Sequence, residues 1–115
     1  NANKKGIRIT VGSDSFCSSL TPSGEYAITE MQALHKAGLT EMEVILAATK
    51  NGAEMLNIDN ITGTLEEGKF ADLLVLSSNP LVDINNIDVN NMEVIMKEGE
   101  FVKRTLWRET DIEIA

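Results

Sequence analysis

The stretch "GIRITVGSDS" (6–15) poses the main question about the fold of this chain. β-branched apolar residues alternate at Ile7, Ile9 and Val11, which is the pattern of a strand with one buried face. A loop rich in Gly, Ser and Thr follows directly and carries a single carboxylate, Asp14. The pattern predicts a strand over roughly Ile7 to Val11 that ends just before this charged residue.

Asp14 has the most informative position of any charged residue in the chain. In α/β enzymes, catalytic groups lie just beyond the C-terminal ends of strands, where the loops converge. An aspartate there can bind a divalent metal and accept a proton from water. The alternative is a structural role, since Asp commonly caps turns in Ser- and Gly-rich loops. The residues alone leave both interpretations open.

The other candidates for chemistry are weaker. Cys17 is the only cysteine and His35 the only histidine, so the chain cannot supply a zinc site of its own. A lone Cys is more often a small core or loop residue, and His35 lies where a cation offsets the helix dipole. Glu25 and Glu30 are expected on a helix surface. "GSDSF" fails the form of a serine nucleophile elbow, because its second Ser is followed by Phe16.

Composition and charge narrow the class of protein. The chain has 115 residues, about one domain, with 18 acidic and 10 basic residues and a net charge of −8. This charge argues against a nucleic acid or an anionic membrane as partner, because both require a basic face. A single cysteine excludes an internal disulfide, and no apolar run is long enough to span a bilayer. We therefore expect a cytoplasmic protein, and the missing initiator Met predicts that its gene starts upstream.

The middle of the chain is expected to be helical. "EYAITEMQALHKAG" (25–38) places apolar residues on one stripe, and Gly38 is suited to end the helix in a left-handed conformation. "NGAEML" (51–56) predicts a further short helix, after which Asn57 can adopt the left-handed conformation.

A stronger local signal lies between these two helices. Thr40 followed by Glu43 three residues later forms the pattern of a capping box. Leu39 before the cap and Val44 after it can form a hydrophobic staple across the helix start. The sequence therefore predicts a helix from Thr40 to about Thr49.

The last third of the chain changes to an extended pattern. "GTLEEGK" (63–69) predicts a turn in which Gly68 needs a positive φ, and "ADLLVL" (71–76) predicts an apolar strand. "MEVIMKEGEFVKR" (92–104) predicts a hairpin with a two-residue turn at 98–99. The chain as it stands is then an α+β arrangement of helices and three late strands. Its first strand has no parallel neighbour in the sequence, which is typical of the end of a larger protein.

These segments, in this order, resemble the C-terminal part of the amidohydrolase superfamily, and most closely its imidazolonepropionase-like and Xaa-Pro dipeptidase-like branch. The matching stretches are "GIRITVGSDS", "GEYAITEMQALHKAGLTEMEVILAATKNGAEMLNI", "TGTLEEGKFADLLVLSSNPLVDI" and "VIMKEGEFVK". They cover nearly the whole chain from Gly6 to Lys103, and "TGTLEEGKFADLLVL" (62–76) is the most specific of them.

The resemblance implies an α/β fold with a TIM-like (β/α)8 barrel and a small β-sandwich. Residues 1–60 would form the C-terminal end of the barrel, with strand 8, the metal-site loop and helices. Residues 61–104 would supply the last strands of the sandwich, in which Gly68 shapes a turn and Asp72 is structural. Residues 105–115 would be a tail.

The resemblance also implies a function. Amidohydrolases use a metal-activated hydroxide to hydrolyse C–N bonds in amides, cyclic amides or dipeptides. Asp14 would be both the metal ligand and the proton shuttle, with a divalent metal as cofactor, zinc being favoured. The partner would be a small-molecule substrate. Assembly with further copies of the same protein is expected for a different reason, because the surfaces that would meet the missing barrel are apolar. The family's other metal ligands have no counterpart here, so the chain alone is expected to be inactive.

A second interpretation comes from a different class of protein. The same segments could form a non-catalytic, stand-alone module for oligomerisation, because exposed strand edges favour pairing between copies. Within the enzyme class, the sequence does not separate a dipeptidase from a cyclic-amide hydrolase, since several loops of such a barrel contact the substrate.

Overall fold

The computed structural model of this protein describes residues 2–14 and 23–106. Three helices come first along the chain: α1 (Ser23–Lys36), α2 (Glu41–Ala48) and α3 (Lys50–Met55). Three strands follow: β1 (Leu73–Leu76), β2 (Met92–Lys97) and β3 (Glu100–Arg104). They form one antiparallel sheet in the order β1-β2-β3. The α+β arrangement predicted for the chain as it stands is confirmed.

The corner between α1 and α2 is closed by Gly38, as predicted. Its φ is 106°, a value that favours glycine because a side chain would be strained. Its N–H donates to the His35 carbonyl at 2.9 Å, and the N–H of Leu39 donates to the Leu34 carbonyl at 3.2 Å. This pair of bonds is the Schellman motif, and it satisfies carbonyls that the end of α1 would otherwise leave free.

The start of α2 has the predicted capping box. The N–H of Glu43 donates to Thr40 Oγ1 at 3.3 Å, and the N–H of Thr40 donates to Glu43 Oε2 at 2.8 Å. The Thr40 N–H is also the main reason that the pKa of Glu43 lies below its usual range. Leu39 and Val44, the two residues of the predicted staple, are both buried in one apolar cluster.

That cluster is the main core of the described residues. Leu39 and Val44 meet Ile84 and Ile87 there, which come from the connection between β1 and β2. Short 3-10 turns at Ile84–Asn86 and Val89–Asn91 shape this connection. Seven partly buried apolar residues surround the cluster: Ile9, Ile28, Met31, Leu34, Ile45, Leu76 and Met92. The helices and the sheet are thus joined mainly through the β1–β2 connection.

The hairpin between β2 and β3 has the predicted two-residue turn. Glu98 and Gly99 have φ values of 52° and 83°, and positive φ at both central positions defines a type I′ turn. The N–H of Glu98 donates to Asp72 Oδ1 at 2.8 Å, and the Gly99 N–H donates to the Ala71 carbonyl at 3.1 Å. Asp72 also accepts a hydrogen bond from Thr62 Oγ1 at 2.7 Å. It therefore has the structural role that was predicted.

The prediction of a strand at Ile7 to Val11 is wrong for this structure, because the stretch is not part of any strand in the described residues. A strand exists through hydrogen bonds to a neighbour, and the stretch is bonded to helices instead. Its apolar residues are also less buried than their alternation predicts: Ile7 is 58% exposed.

Candidate functional site

Asp14 lies three residues beyond Val11, at the end of the segment 7–14. Its side chain is exposed, and its φ of 47° is in the left-handed region. This region is uncommon for residues other than Gly, although Asp tolerates it better than most. Asp14 therefore has left-handed backbone, and its carboxylate lies at the surface of the described residues.

Two hydrogen bonds attach the backbone of this segment to the helices. The N–H of Val11 donates to the Ala47 carbonyl at 3.0 Å. Asn51 Nδ2 donates to the Ile9 carbonyl, also at 3.0 Å. Both partners lie close to Thr49, whose φ of −128° and ψ of −91° separate α2 from α3. The segment is thus fixed to the break between two helices.

The side chains of the segment make looser contacts with α3. Arg8 pairs with Glu54, but its own side chain is 70% exposed, so this ion pair contributes little. Thr10 Oγ1 lies 3.7 Å from Met55 Sδ. Arg8, Thr10, Asn51 and Met55 line a cavity of about 200 Å³ between the segment and the helix.

A second, more polar cavity of about 260 Å³ lies near the loop that follows α3. Its lining includes the pairs Lys69–Glu66, at 2.7 Å, and Lys50–Glu54, at 3.9 Å. Lys69 is the main reason that the pKa of Glu66 lies below its usual range. The lining carries three carboxylates, those of Glu54, Asp59 and Glu66, against two lysines, so the cavity has a small excess of negative charge.

The remaining candidates from the sequence do not join Asp14. His35 Nε2 lies 3.0 Å from Glu41 Oε1, so it links the end of α1 to the start of α2. Glu25 lies in the first turn of α1, as expected for a helix-surface charge. Phe16 and Cys17 lie outside the described residues. Within residues 2–14 and 23–106, no group of three or more His, Cys, Asp or Glu residues is arranged to hold a metal.

Sequence reasoning missed the contact of Asn51 with this segment. The residue was assigned only to the start of a short helix, where Asn is common for local reasons. Its partner, Ile9, is 42 residues away in the chain. No local sequence pattern predicts the hydrogen bond between Asn51 and Ile9.

The amidohydrolase family matches this chain over residues 1–102. The protein belongs to the amidohydrolase family, because this match covers most of its sequence. None of the helices in the described part of the chain is long and apolar enough to cross a bilayer.

Individual relatives support the predicted branch. The ochratoxinase of Aspergillus niger is 37% identical over 84 residues, which are 72% of this chain and 16% of the ochratoxinase. The imidazolonepropionase of Treponema denticola is 25% identical over 101 residues, 86% of this chain and 24% of that protein. The crystal structure of a Xaa-Pro dipeptidase with bound methionine matches with a TM-score of 0.74 at 29% identity, over 89% of this chain and 24% of the dipeptidase. The chain thus spans a quarter or less of the length of these relatives.

Proposed function

We propose that this chain is the C-terminal part of an amidohydrolase that hydrolyses a C–N bond, and that Asp14 acts in its active site. The observation that carries this proposal is the family match over residues 1–102, which includes Asp14 and the helices that fix its segment. The relatives named as imidazolonepropionase and Xaa-Pro dipeptidase support a substrate that is an amide, a cyclic amide or a dipeptide. They favour an enzyme over a stand-alone oligomerisation module.

The proposed architecture follows from the same match. Residues 1–60 form the end of a (β/α)8 barrel, with 7–11 as its last strand, and residues 61–104 contribute to a small β-sandwich. Exposed apolar surface supports a larger protein around the chain. Among the described residues, 15 large hydrophobic side chains are exposed and only seven hydrophobic residues are buried. Apolar surface on this scale favours contact with further protein.

The described residues do not fit a complete metal site. A catalytic zinc takes three protein ligands, and in the described residues no group of three or more His, Cys, Asp or Glu residues is arranged to hold a metal. We therefore assign one ligand to this chain, the Asp14 carboxylate, and the others to the rest of the protein. When bound there, a divalent metal, with zinc favoured, would supply Lewis acidity and lower the pKa of water.

Asp14 itself moves a proton in the proposed reaction. One carboxylate oxygen accepts a proton from the attacking water, and the same oxygen delivers it to the leaving nitrogen. An exposed carboxylate is suited to this task, because a substrate can approach it directly.

Three finer parts of the proposal concern the whole protein. The single cysteine supports a reducing compartment such as the cytoplasm. In the described residues β1 and β3 each pair with a strand on one side only, and such sheet edges support assembly into a homo-oligomer. The net charge of −8 supports a small-molecule substrate rather than a nucleic acid or an anionic membrane surface as partner.

The test is an Asp14→Asn substitution in the complete protein, with Asp59→Asn as the matched control at another exposed aspartate. An Xaa-Pro dipeptide and imidazolonepropionate serve as substrates, with and without a chelator. We expect Asp14→Asn to lower kcat by about 10²- to 10⁴-fold, because proton transfer is lost. Asp59→Asn should keep the parent rate, and the chelator should abolish it. A parent-like kcat in Asp14→Asn would remove Asp14 from the mechanism.

A further inference from the structure

We propose that Asn51 is a positioning residue for Asp14, an inference that rests on the proposed function. The residue lies in the first turn of α3, and we assign it no direct contact with the reacting groups. It acts through the backbone of the segment that carries Asp14, by holding the Ile9 carbonyl at 3.0 Å.

The helix break at Thr49 creates the anchor. In a continuous helix, the Ala47 carbonyl would accept the N–H of residue 51. Here α2 ends at Ala48 and α3 begins at Lys50, and the Ala47 carbonyl accepts the N–H of Val11 at 3.0 Å. One helical turn further on, Asn51 supplies a donor. The helix break therefore provides one acceptor, the Ala47 carbonyl, and one donor, Asn51 Nδ2, and both bond the backbone at Ile9 to Val11.

The spacing of the two contacts along the segment fixes its register. In extended backbone, the N–H and C=O groups of alternate residues point to the same edge. Ile9 and Val11 are alternate residues, so in an extended segment both bonds lie on one edge. Because one bond uses a carbonyl of the segment and the other an N–H, sliding the segment by one residue would break both.

Asn51 is the stronger side-chain contact of the segment. It is partly buried, whereas the side chain of Arg8 in the Arg8–Glu54 pair is 70% exposed and competes with water. The Ile9 carbonyl also has a second lone pair. The Asn51 bond is therefore compatible with a neighbouring strand in the proposed barrel.

Asp14 lies only three residues beyond Val11, at the left-handed turn with a φ of 47°. Because only two residues separate Val11 from Asp14, a displacement of the backbone at Ile9 to Val11 also displaces the Asp14 carboxylate. A displacement of about 1 Å in a catalytic group can cost about 100-fold in rate.

The test compares two asparagines in the complete protein. Asn51→Asp removes the donor to Ile9. Asn91→Asp removes a matched donor, because Asn91 Nδ2 bonds the Asn86 carbonyl at 3.0 Å and is also partly buried. We expect Asn51→Asp to lower kcat by about 10- to 100-fold, with KM within about twofold of the parent. Hydrogen exchange of a peptide covering 7–14 should become faster. Asn91→Asp should keep the parent kcat, although it weakens its own loop.

The outcomes separate this inference from the proposed function. If Asp14→Asn is inactive while Asn51→Asp and Asn91→Asp share the parent kcat, Asn51 does not position Asp14 and only this inference is wrong. If Asp14→Asn keeps the parent rate, the proposed function is wrong first. Should Asn51→Asp fail to fold, Asn51→Ala tests the same bond without adding a charge. A parent-like kcat and parent-like exchange at 7–14 in Asn51→Ala overturn the inference.

Discussion

The segment 7–14 and the region from Leu39 to Arg104 differ in where their partners come from. In the longer region, the capping box, the hairpin and the four buried residues of the apolar cluster all come from that region. Ile9 and residues of α1 pack around the cluster from outside it. The segment has the alternation of a strand but no strand beside it in the described residues, and it bonds to a helix break. One region is defined by its own sequence, and the other depends on what surrounds it.

This difference explains why the candidate site lies in the segment 7–14, which depends on other parts of the protein for its contacts. A residue that serves a site shared with other parts of a protein must lie at an edge of its own unit, where partners can reach it. Asp14 meets this condition, because it is exposed and ends a described segment that is bonded to a helix break rather than to a strand. Substitutions should therefore have opposite consequences in the two regions.

The largest effect on stability is expected from Gly63→Ala. A Cβ at Gly63 would lie 2.5 Å from the Cβ of Ala53 in α3, and the φ of 97° strains any side chain. We expect the free energy of unfolding to fall by about 2–4 kcal/mol, from strain and overpacking together. Urea unfolding of the chain measures this loss.

Gly68→Ala is the control for that substitution. Its φ of 87° is similar, but a Cβ there would meet nothing within 4 Å. Only the strain remains, at about 1–2 kcal/mol. Equal losses for the two alanines would mean that the loop after α3 is not packed against the helix, and the longer region would not be self-sufficient.

The next effect compares one buried and one exposed apolar residue. Val44 is 0% exposed and Ile7 is 58% exposed. Val44→Ala should cost about 1.5–3 kcal/mol, because it removes buried methyl groups and leaves a cavity. Ile7→Ala should change the stability of this 115-residue chain by less than about 0.5 kcal/mol.

The same pair sharpens the proposal when it is repeated in the complete protein. Ile7 would there lie in a barrel strand, so its substitution should become costly while the cost of Val44→Ala stays the same. An Ile7→Ala variant that is harmless in both proteins would contradict the assignment of 7–11 to a barrel.

Local patterns in the sequence were sufficient for most of the longer region. The capping box of Thr40, the stop at Gly38 and the turn at 98–99 were all predicted, because each depends on residues within a few positions of one another. The structural role of Asp72 came from the family resemblance instead. Gly63 was not singled out, since the atom that crowds it belongs to a helix formed earlier in the chain.

The site could be predicted only in part, for the same physical reason. The position of Asp14 follows from the pattern around it, and its role stays a prediction. The strand predicted at Ile7 to Val11 does not form in the described residues, because alternation predicts a buried face but cannot supply the neighbouring strand that a ladder needs. The Asn51 contact depends on a helix break and a segment 42 residues apart, which no short window of sequence contains.

An effect smaller than that of Val44→Ala is expected from Asp72→Asn, and it depends on pH. The N–H of Glu98, and then the hydroxyl of Thr62, hold the pKa of Asp72 below its ordinary value of 3.8. The unfolded chain therefore binds a proton at this residue more readily than the folded chain does. Asp72 stabilises the fold fully above pH 3.8, and this contribution is lost as the pH falls toward the lower folded pKa. Asp72→Asn should thus be less stable than the parent at pH 7, by less than Val44→Ala.

Urea unfolding of the parent and of Asp72→Asn between pH 7 and pH 3 measures this contribution, and the two curves should converge at the acid end. Thr62→Val removes one of the two hydrogen bonds and keeps the shape of the side chain. It should reduce the pH-dependent difference by less than half, because the Glu98 N–H is the larger cause of the lowered pKa. If the stability of Thr62→Val were as insensitive to pH as that of Asp72→Asn, the Thr62 hydroxyl would be the main stabiliser of the Asp72 carboxylate. The hairpin turn would then contribute less than the loop after α3. The longer region would then be joined to its hairpin less firmly than the contacts of Glu98 and Gly99 indicate.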